Sequence, residues 1–243
     1  MKQAVQKFAN RLGYRISKID SEGTRSDPFV EMGRLCKKIN RPTIFDVGAH
    51  HGQTAMLFKD RFPGSLIHSF EPFSESFGVL KGNTAKDPNI RIFNYGLSDR
   101  NAMLNFHSNP SSATNSLLST AGQGSATWGK GLLETKEIIE AEFRTLDSVI
   151  AELRIPRVNI LKLDVQGAEH LVLKGAESAC QQGRIDLIFS EIITQPTYEN
   201  QKRMDQALGF FYEAGFELYN IFNPHLTKLG RLAQVDVIFT RTV

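Results

Sequence analysis

From residue 43 onward, short apolar runs alternate with amphipathic segments, and this alternation limits the fold more than any other feature of the sequence. Short apolar runs bounded by turn residues are typical of buried strands, and a spacing of three to four is typical of helices. The predicted strands are Thr43–Val47, Leu66–Phe70, Ile90–Tyr95, Val158–Leu163, Ile185–Ser190, Glu217–Phe222 and Val235–Thr240. The predicted helices are Gln53–Arg61, Ser74–Asn83, Ala168–Gln182 and Gln201–Ala214. Strands joined by helices predict an open, doubly wound α/β sheet.

The last two predicted strands have no helix between them. Their connection contains Asn223, Pro224 and Gly230, which are residues typical of turns. We therefore expect an antiparallel hairpin at one edge of the sheet. A nucleotide-binding fold made only of alternating strands and helices would place a helix there.

The composition excludes several classes of protein. Of the 243 residues, 41% are hydrophobic and 23% are charged, which is typical of a soluble globular protein. The net charge is only +3, and no basic stripe is interleaved with aromatic residues, so we expect no nucleic-acid partner. No apolar run is long enough to span a bilayer, and the N-terminus lacks the apolar core of a secretory signal.

The cysteines indicate a reducing compartment. Cys36 and Cys180 are far apart in the sequence and match neither a zinc-binding spacing nor a disulfide framework. Proteins of the cytoplasm keep such thiols reduced. The expected location is therefore the cytoplasm.

Two parts of the chain do not follow the alternation. Residues 1–40 are predicted to be an N-terminal helical extension of a domain that covers 41–243, with a second helix over Phe29–Ile39. Residues 1–18 have the pattern of a basic amphipathic helix, which docks on protein or lies on a membrane surface. We expect docking on protein, and peripheral membrane contact stays open as the alternative.

The second exception lies within residues 101–143. Ala102–His107 is predicted to be a short edge strand and Leu132–Glu142 a helix. Between them, residues 108–131 are rich in Ser, Thr, Gly and Asn and contain Trp128. A long segment without regular structure in a compact domain is usually functional, so we expect 108–131 to be a mobile cover over the site.

The turn after the first strand predicts a ligand site. Ligands of open α/β sheets bind beyond the carboxyl ends of the strands. Here Asp46 precedes a glycine turn in the pattern D-x-G-x-x-x-G, with Gly48 and Gly52 as its glycines. The turn lacks the glycines of a dinucleotide fingerprint and the lysine of a P-loop. Asp46 at its mouth would repel phosphate and suit a cationic ligand.

The next two strands also end in polar residues. Glu71 follows the second strand, where a carboxylate accepts hydrogen bonds from ribose hydroxyls. After the third strand comes the motif Leu97-Ser98-Asp99. Leu97 is expected to pack on the adenine ring, and Asp99 is expected to accept a hydrogen bond from the adenine amine. Each feature alone also suits an ordinary turn or strand end. Together they predict a nucleoside pocket without a phosphate cradle, which suits S-adenosylmethionine.

Carboxylates also follow the fourth and fifth predicted strands. Asp164 directly follows the strand Val158–Leu163, and Glu169 lies in the first turn of the next helix. Glu191 follows the fifth strand. Each carboxylate also has a purely structural alternative. Asp164 could cap a helix, Glu169 could interact with the helix dipole, and Glu191 could form a salt bridge in a loop. We expect Asp164 and Glu191 to meet at the same cleft.

At these residues the sequence resembles the FkbM-type methyltransferases. The resemblance covers about residues 43–240 and rests on an ordered set of motifs, of which Lys162-Leu163-Asp164-Val165-Gln166-Gly167-Ala168-Glu169 is the most specific. It implies a class I methyltransferase fold, which is Rossmann-like, with S-adenosylmethionine as the methyl donor. It also implies O-methylation of a small-molecule or glycan acceptor. The donor site would comprise Asp46, Gly48, Ala49, His50, Gly52, Glu71, Pro72, Leu97, Ser98, Asp99 and Asp164.

The sequence departs from the family at two positions of the site. His50 stands where the family usually has Asn, and Gln166 stands where it usually has Glu. The second change leaves one acid fewer near the reacting centre. A methyl transfer to a hydroxyl group needs a base. We expect Asp164 to orient donor or acceptor, and His170 or Glu191 to take the proton.

Three other hypotheses stay open. Asp164 and Glu191 could hold a divalent ion that lowers the acceptor pKa, although no dense carboxylate cluster is visible and no metal ligands are assigned. The chain could be an NAD-type oxidoreductase on a similar sheet. The absence of the second glycine of a dinucleotide fingerprint and the terminal hairpin disfavour this hypothesis. It could also be a non-catalytic module that binds S-adenosylmethionine.

Overall fold

A computed structural model describes residues 27–122, 124–128 and 131–241, and the predicted helix over 1–18 lies outside these ranges. Ten strands are formed within them. The strands are β1 (Thr43–Val47), β2 (Leu66–Phe70), β3 (Ile90–Phe93), β4 (Gly96–Leu97), β5 (Ala102–Ser108), β6 (Glu137–Arg144), β7 (Val158–Leu163), β8 (Ile185–Ile193), β9 (Phe216–Leu226) and β10 (Leu232–Arg241). The helices are α1 (Pro28–Leu35), α2 (Gln53–Arg61), α3 (Ser74–Thr84), α4 (Gly124–Trp128), α5 (Leu146–Glu152), α6 (Glu169–Lys174), α7 (Glu177–Gln181) and α8 (Met204–Glu213).

The main sheet has seven strands in the order β3-β2-β1-β7-β8-β10-β9. Strand β1 pairs in parallel with β2 and β7, whereas β10 pairs antiparallel with both β8 and β9. This order confirms the predicted doubly wound sheet and its terminal hairpin. The carboxyl ends of β1, β2, β7 and β8 consequently meet at one edge.

Both faces of this sheet are covered, and neighbouring residues of a strand belong to opposite faces. Ile44 packs with Met32 of α1 and Phe58 of α2, whereas Phe45 packs with Phe70 on the other face. All six residues of β7 are buried. Continuous apolar runs such as β1 and β7 are typical of parallel strands buried on both sides. Within the described ranges, no helix combines the length and apolarity needed to cross a membrane.

Helix α1 belongs to the packing of the domain. The Asp27 side chain accepts hydrogen bonds from the backbone N–H of Phe29 (2.8 Å) and Val30 (3.4 Å), which caps the helix and fixes its start. Met32 is completely buried and Cys36 nearly so. The predicted boundary at residue 41 therefore divides residues that share one core.

A second sheet, in the order β4-β6-β5, replaces the predicted helix over Leu132–Glu142. That prediction was wrong because the periodicity of 137–144 is two, not 3.6. Antiparallel pairing with β5 buries Ala141 and Phe143, while Glu140 remains exposed. The predicted edge strand over Ala102–His107 is confirmed as β5.

Two further boundaries differ from the prediction. The third strand ends at Phe93, and the chain then passes to the second sheet as β4. The predicted helix Ala168–Gln182 is divided into α6 and α7 near Gly175. A Cβ atom at Gly175 would lie 2.0 Å from the carbonyl oxygen of Ser98, so only glycine permits this close approach.

Candidate active site

A cavity of about 280 Å³ opens at the carboxyl ends of β1, β2 and β7, between the glycine turn and the second sheet. Predicted site residues that line it are Gly48, Ala49, His50, Glu71, Pro72, Leu97 and Asp164. The predicted cover contributes Ser112, Ala113, Asn115 and Leu117. The structure thus brings together residues that lie more than a hundred positions apart in the sequence.

The glycine turn is held rigidly between β2 and β7. The backbone N–H groups of Gly48 and Ala49 donate to the carbonyl of Phe70, at 3.1 and 3.0 Å. Gly48 has a φ of +75°, in the left-handed region that favours glycine. A Cβ atom there would lie 1.9 Å from the carbonyl oxygen of Asp164. The turn and the end of β7 can touch only because residue 48 has no side chain.

We therefore expect Gly48→Ala to lower the free energy of unfolding by about 2–4 kcal/mol through strain and overpacking. Gly78 in α3 is a matched control, because nothing lies within 4 Å of a Cβ added there. Gly78→Ala should stabilise its helix by about 0.5–1 kcal/mol. Urea unfolding followed by circular dichroism measures both. Equal stabilities of the two variants would contradict the close contact between the turn and Asp164.

Glu71 is a buried carboxylate with a fixed orientation. One carboxylate oxygen accepts from the backbone N–H of His50 (2.8 Å) and the other accepts from that of Phe73 (2.9 Å). Burial raises the pKa of Glu71 to about 7, although these two donors oppose the shift. Each oxygen retains a lone pair, so the group can still accept hydrogen bonds from a ligand.

Asp46 is not at the mouth of the cavity as predicted. It is fully buried, and its Oδ1 lies 3.0 Å from Nζ of Lys162. The register of β1 and β7 pairs these two residues directly. Burial lowers the pKa of Lys162, but Asp46 and then Asp164 outweigh this effect and hold it above its ordinary value. Asp46 thus neutralises a buried lysine and presents no charge to a ligand.

Lys162 is a site residue that the sequence analysis missed. Its ammonium group donates to the carbonyl of Gly48 (2.8 Å) and lies 3.6 Å from Oδ2 of Asp164. It therefore links the glycine turn to the carboxylate at the end of β7. A lysine inside an otherwise apolar strand was the available signal, because a buried ammonium group requires a partner.

Besides Asp46, three predicted donor residues lie outside the cavity wall. Gly52 starts α2 with a φ of +86°, and its absent side chain makes room for Leu80 of α3. Ser98 is fully buried against Gly175. The carboxylate of Asp99 pairs with Arg100 at 3.0 Å. Asp99 thus does not line the cavity, because the chain turns away from it after Leu97.

The side chains of Asp164 and Glu191 lie close to each other, and the amide group of Gln166 joins them. Nε2 of Gln166 donates to Oδ1 of Asp164 (2.9 Å) and to Oε2 of Glu191 (3.2 Å). The other oxygen of Glu191 accepts from Nε2 of Gln234 (2.8 Å). Burial, reinforced by the charges of Asp164 and Asp236, raises the pKa of Glu191 to about 8. Glu191 is therefore a carboxylate that binds a proton near neutral pH.

The arrangement does not fit a divalent ion. An N–H donor of Gln166 occupies the position between the two carboxylates, where a cation would need an oxygen ligand. Throughout residues 27–122, 124–128 and 131–241, no group of three or more His, Cys, Asp or Glu side chains is arranged to hold a metal.

His170 does not line the cavity. It lies on α6 in a separate small pocket, where its ring packs against Phe210 with 5.4 Å between centroids. Burial lowers the pKa of His170 to about 4. Glu169 on the same helix accepts from the backbone N–H groups of Val165 and Gly167, both at 3.2 Å, and so stabilises the turn. Of the three predicted catalytic residues, Asp164 lines the cavity, Glu191 is linked to it through Gln166, and His170 lies apart from both.

The predicted cover segment is tied to the site by polar contacts. Nε2 of His50 lies 2.7 Å from Oγ of Ser112, and the Ser116 hydroxyl donates to the carbonyl of Gln166 (2.8 Å). The hydroxyl of Tyr198 lies 2.9 Å from both the Thr114 carbonyl and Oε1 of Gln166. These contacts place the described part of the segment over the cavity.

Comparison with known proteins agrees with this geometry. A family model described as "Methyltransferase FkbM domain" matches residues 46–218. The 2-O-methyltransferase NoeI of Sinorhizobium fredii is 28% identical over 207 residues, which cover 83% of this chain and 80% of NoeI. The 31-O-demethyl-FK506 methyltransferase FkbM of Streptomyces tacrolimicus is 29% identical over 170 residues, or 61% of this chain and 64% of that protein.

A solved structure of WbdD bound to a kinase inhibitor shares the fold. It superposes with a TM-score of 0.52 at 12% identity and covers 96% of this chain and 43% of WbdD. The family model spans most of the chain, including the glycine turn, Glu71, Asp164 and Glu191. The chain therefore belongs to the FkbM-domain family and is a methyltransferase.

Proposed function

We propose that the cavity binds S-adenosylmethionine and that the enzyme transfers its methyl group to a hydroxyl oxygen of a small-molecule or glycan acceptor. The observation that carries this proposal is the buried carboxylate of Glu71, which the backbone of the glycine turn holds at the end of β2. A carboxylate at this place suits the two hydroxyls of a ribose. The turn has no P-loop lysine, and Lys162 is neutralised by Asp46, so the cavity suits a nucleoside without phosphates.

The lining residues divide by chemistry in a way that fits this donor. Pro72, Leu97 and Phe143 form an apolar wall on the side of the second sheet, which suits a flat base. Asp164 lies on the other side, next to the glycine turn, with its side chain 37% exposed. We assign it to the positively charged end of the donor.

The chemistry then requires a positioned acceptor and a base. When bound, S-adenosylmethionine supplies an electrophilic methyl carbon on a positively charged sulfur. The acceptor oxygen forms a bond to this carbon as the carbon–sulfur bond breaks, and the sulfur retains the electron pair. The carboxylate of Glu191 receives the hydroxyl proton, and Gln166 and Gln234 hold that carboxylate in place. A base of raised pKa is well matched to this step near neutral pH.

The relatives support oxygen as the accepting atom. Both NoeI and FkbM carry an O-methylated position in their names. Both cysteines of this chain are free and buried, which agrees with the cytoplasm as its compartment.

A thermal-shift titration tests donor binding. We expect S-adenosylmethionine and its demethylated product to stabilise the protein by about 2.7 kcal/mol at a hundredfold excess over Kd, with no effect of NAD⁺. Stabilisation by NAD⁺ alone would favour the oxidoreductase hypothesis instead. Donor binding without methyl transfer to any cell extract would favour a binding module.

The pH dependence of donor binding tests the assignment of Glu71. Ribose hydroxyls donate to the ionised carboxylate, so protonation of Glu71 below pH about 7 should weaken binding, by up to tenfold per pH unit. Glu71→Gln should bind the donor about 10–100-fold more weakly at pH 8 and lose this dependence. Isothermal titration calorimetry from pH 5.5 to 8.5 measures both. Parallel pH profiles of the two proteins would contradict the role of Glu71.

A further inference from the structure

A second cavity, of about 300 Å³, lies beside the first, between the cover segment and the carboxyl end of β8. The two cavities share Ala113, Asp164 and Gln166 in their walls. A molecule in the second cavity would therefore lie against a molecule in the first. Its remaining walls come from α4, from the loop after β8 and from β10.

The polar side chains of this cavity are carboxylates, neutral amides and hydroxyls. Asp164 and Glu191 contribute carboxylates, and Gln166 and Gln234 contribute amides. Among the described lining residues there is no Lys, Arg or His. The nearby ammonium group of Lys162 is matched by Asp46 at 3.0 Å. Above pH about 8, where Glu191 is ionised, an anion placed here would face two carboxylates and no cation among the described lining residues, whereas a hydroxyl group would find good acceptors.

The other walls are apolar and include an aromatic ring. Trp128 lines the cavity together with Leu133 and Ile193. The indole N–H of Trp128 already donates to Oγ1 of Thr197 (2.8 Å), so the ring offers the cavity its apolar surface. The ring lies parallel to that of His225, with 8° between the planes, which fixes its orientation. A fixed aromatic surface opposite a row of hydrogen-bond acceptors suits a ring with an apolar face and a hydroxylated edge.

We propose that this second cavity is the acceptor site and that it takes an uncharged carbohydrate ring in preference to a uronate or a sugar phosphate. The inference rests on the proposed function, because the shared wall matters only if the donor occupies the first cavity. It adds the charge and the chemical class of the acceptor. Asp164 and Glu191 then have a second effect besides their part in the reaction, since they select against anionic acceptors.

The sequence provides a reporter for this test, because Trp128 is the sole tryptophan among the 243 residues. At pH 9, where Glu191 is ionised, the protein is saturated with S-adenosylhomocysteine and titrated with two matched sets of probes while the tryptophan emission is followed. One set comprises the methyl glycosides of glucose and galactose, and the other comprises the corresponding glucuronide and galacturonide. We expect a saturable change with at least one neutral probe and at least tenfold weaker binding of its acidic counterpart.

The variant Glu191→Gln distinguishes charge selection from a merely structural role. The substitution removes one charge without a change of shape. It should narrow the ratio between the affinities for the neutral and the acidic probe at least threefold, mainly by tighter binding of the acid. Glu75→Gln is the matched control, because Glu75 is exposed on α3, away from both cavities, and should leave the ratio unchanged. An unchanged ratio in Glu191→Gln would overturn the assigned selection.

The remaining outcomes separate this inference from the proposed function. If S-adenosylhomocysteine raises the melting temperature but no neutral glycoside changes the emission, the donor site stands and the second cavity is not a carbohydrate site. If the acidic probes bind as tightly as the neutral ones, the charge argument is wrong. If S-adenosylhomocysteine itself does not raise the melting temperature, the proposed function fails, and this inference fails with it.

Discussion

Glu191→Gln is expected to lower kcat for methyl transfer by about 10²–10⁴-fold, the usual contribution of a positioned general base. The substitution keeps the shape of the side chain but removes its ability to take a proton. Donor affinity should remain within about twofold, because Glu191 does not line the donor cavity. Single-turnover rates with labelled S-adenosylmethionine measure the chemical step, and calorimetry measures the affinity.

The pH profile gives this prediction a definite sign. A base acts in its deprotonated form, so kcat of the wild-type enzyme should fall as the pH is lowered through about 8, the raised pKa of Glu191. The variant should lose this limb. His170→Gln is the matched comparison, since His170 lies in a separate pocket, and its kcat should change less than about threefold. A larger loss in His170→Gln than in Glu191→Gln would reverse the assignment of the base.

Lys162→Met is expected to lower the free energy of unfolding by about 3–5 kcal/mol, because it leaves Asp46 as a buried charge without a partner. For a chain of this length, that corresponds to a fall in Tm on the order of 10 °C. Thermal and urea unfolding measure the loss. The same change at exposed Lys81 of α3 should alter stability by less than about 0.5 kcal/mol.

The double variant Asp46→Asn/Lys162→Met separates the ion pair from packing. Replacement of both charges by neutral groups of similar size is often close to neutral for stability, so most of the loss should be recovered. A double variant as unstable as Lys162→Met alone would show that the stem of Lys162, rather than its charge, holds the glycine turn to β7.

Features that depend on neighbouring residues were predictable from the sequence. Gly48 and Glu71 follow directly on buried strands, and the positions of such residues are determined as soon as the strands are recognised. Asp164 and Glu191 were predicted to meet for the same reason. The terminal hairpin was predictable because turn residues, not a helical pattern, separate its strands.

Features that depend on pairing between distant segments were not predictable in this way. Asp46 was expected to face the ligand, but the register of β1 and β7 places Lys162 opposite it. The path of the chain after Leu97 removed Asp99 from the cavity. Strand β6 was missed because its apolar residues Ile138 and Ile139 are adjacent, which obscures the alternation that its pairing with β5 reveals. The bridging role of Gln166 depends on Tyr198 and on the path of the cover segment.

The position of helix α1 shows that the boundary of a folding unit and the boundary of a family match can differ. The match to the family model begins at residue 46, after most of β1. Met32, however, is completely enclosed by side chains of β1 and α2, and Asp27 fixes the helix that carries it. A fragment cut where the match to the family model begins would expose that apolar face to water and favour aggregation. The smallest autonomous folding unit is therefore longer at its N-terminal side than the stretch that the family model matches.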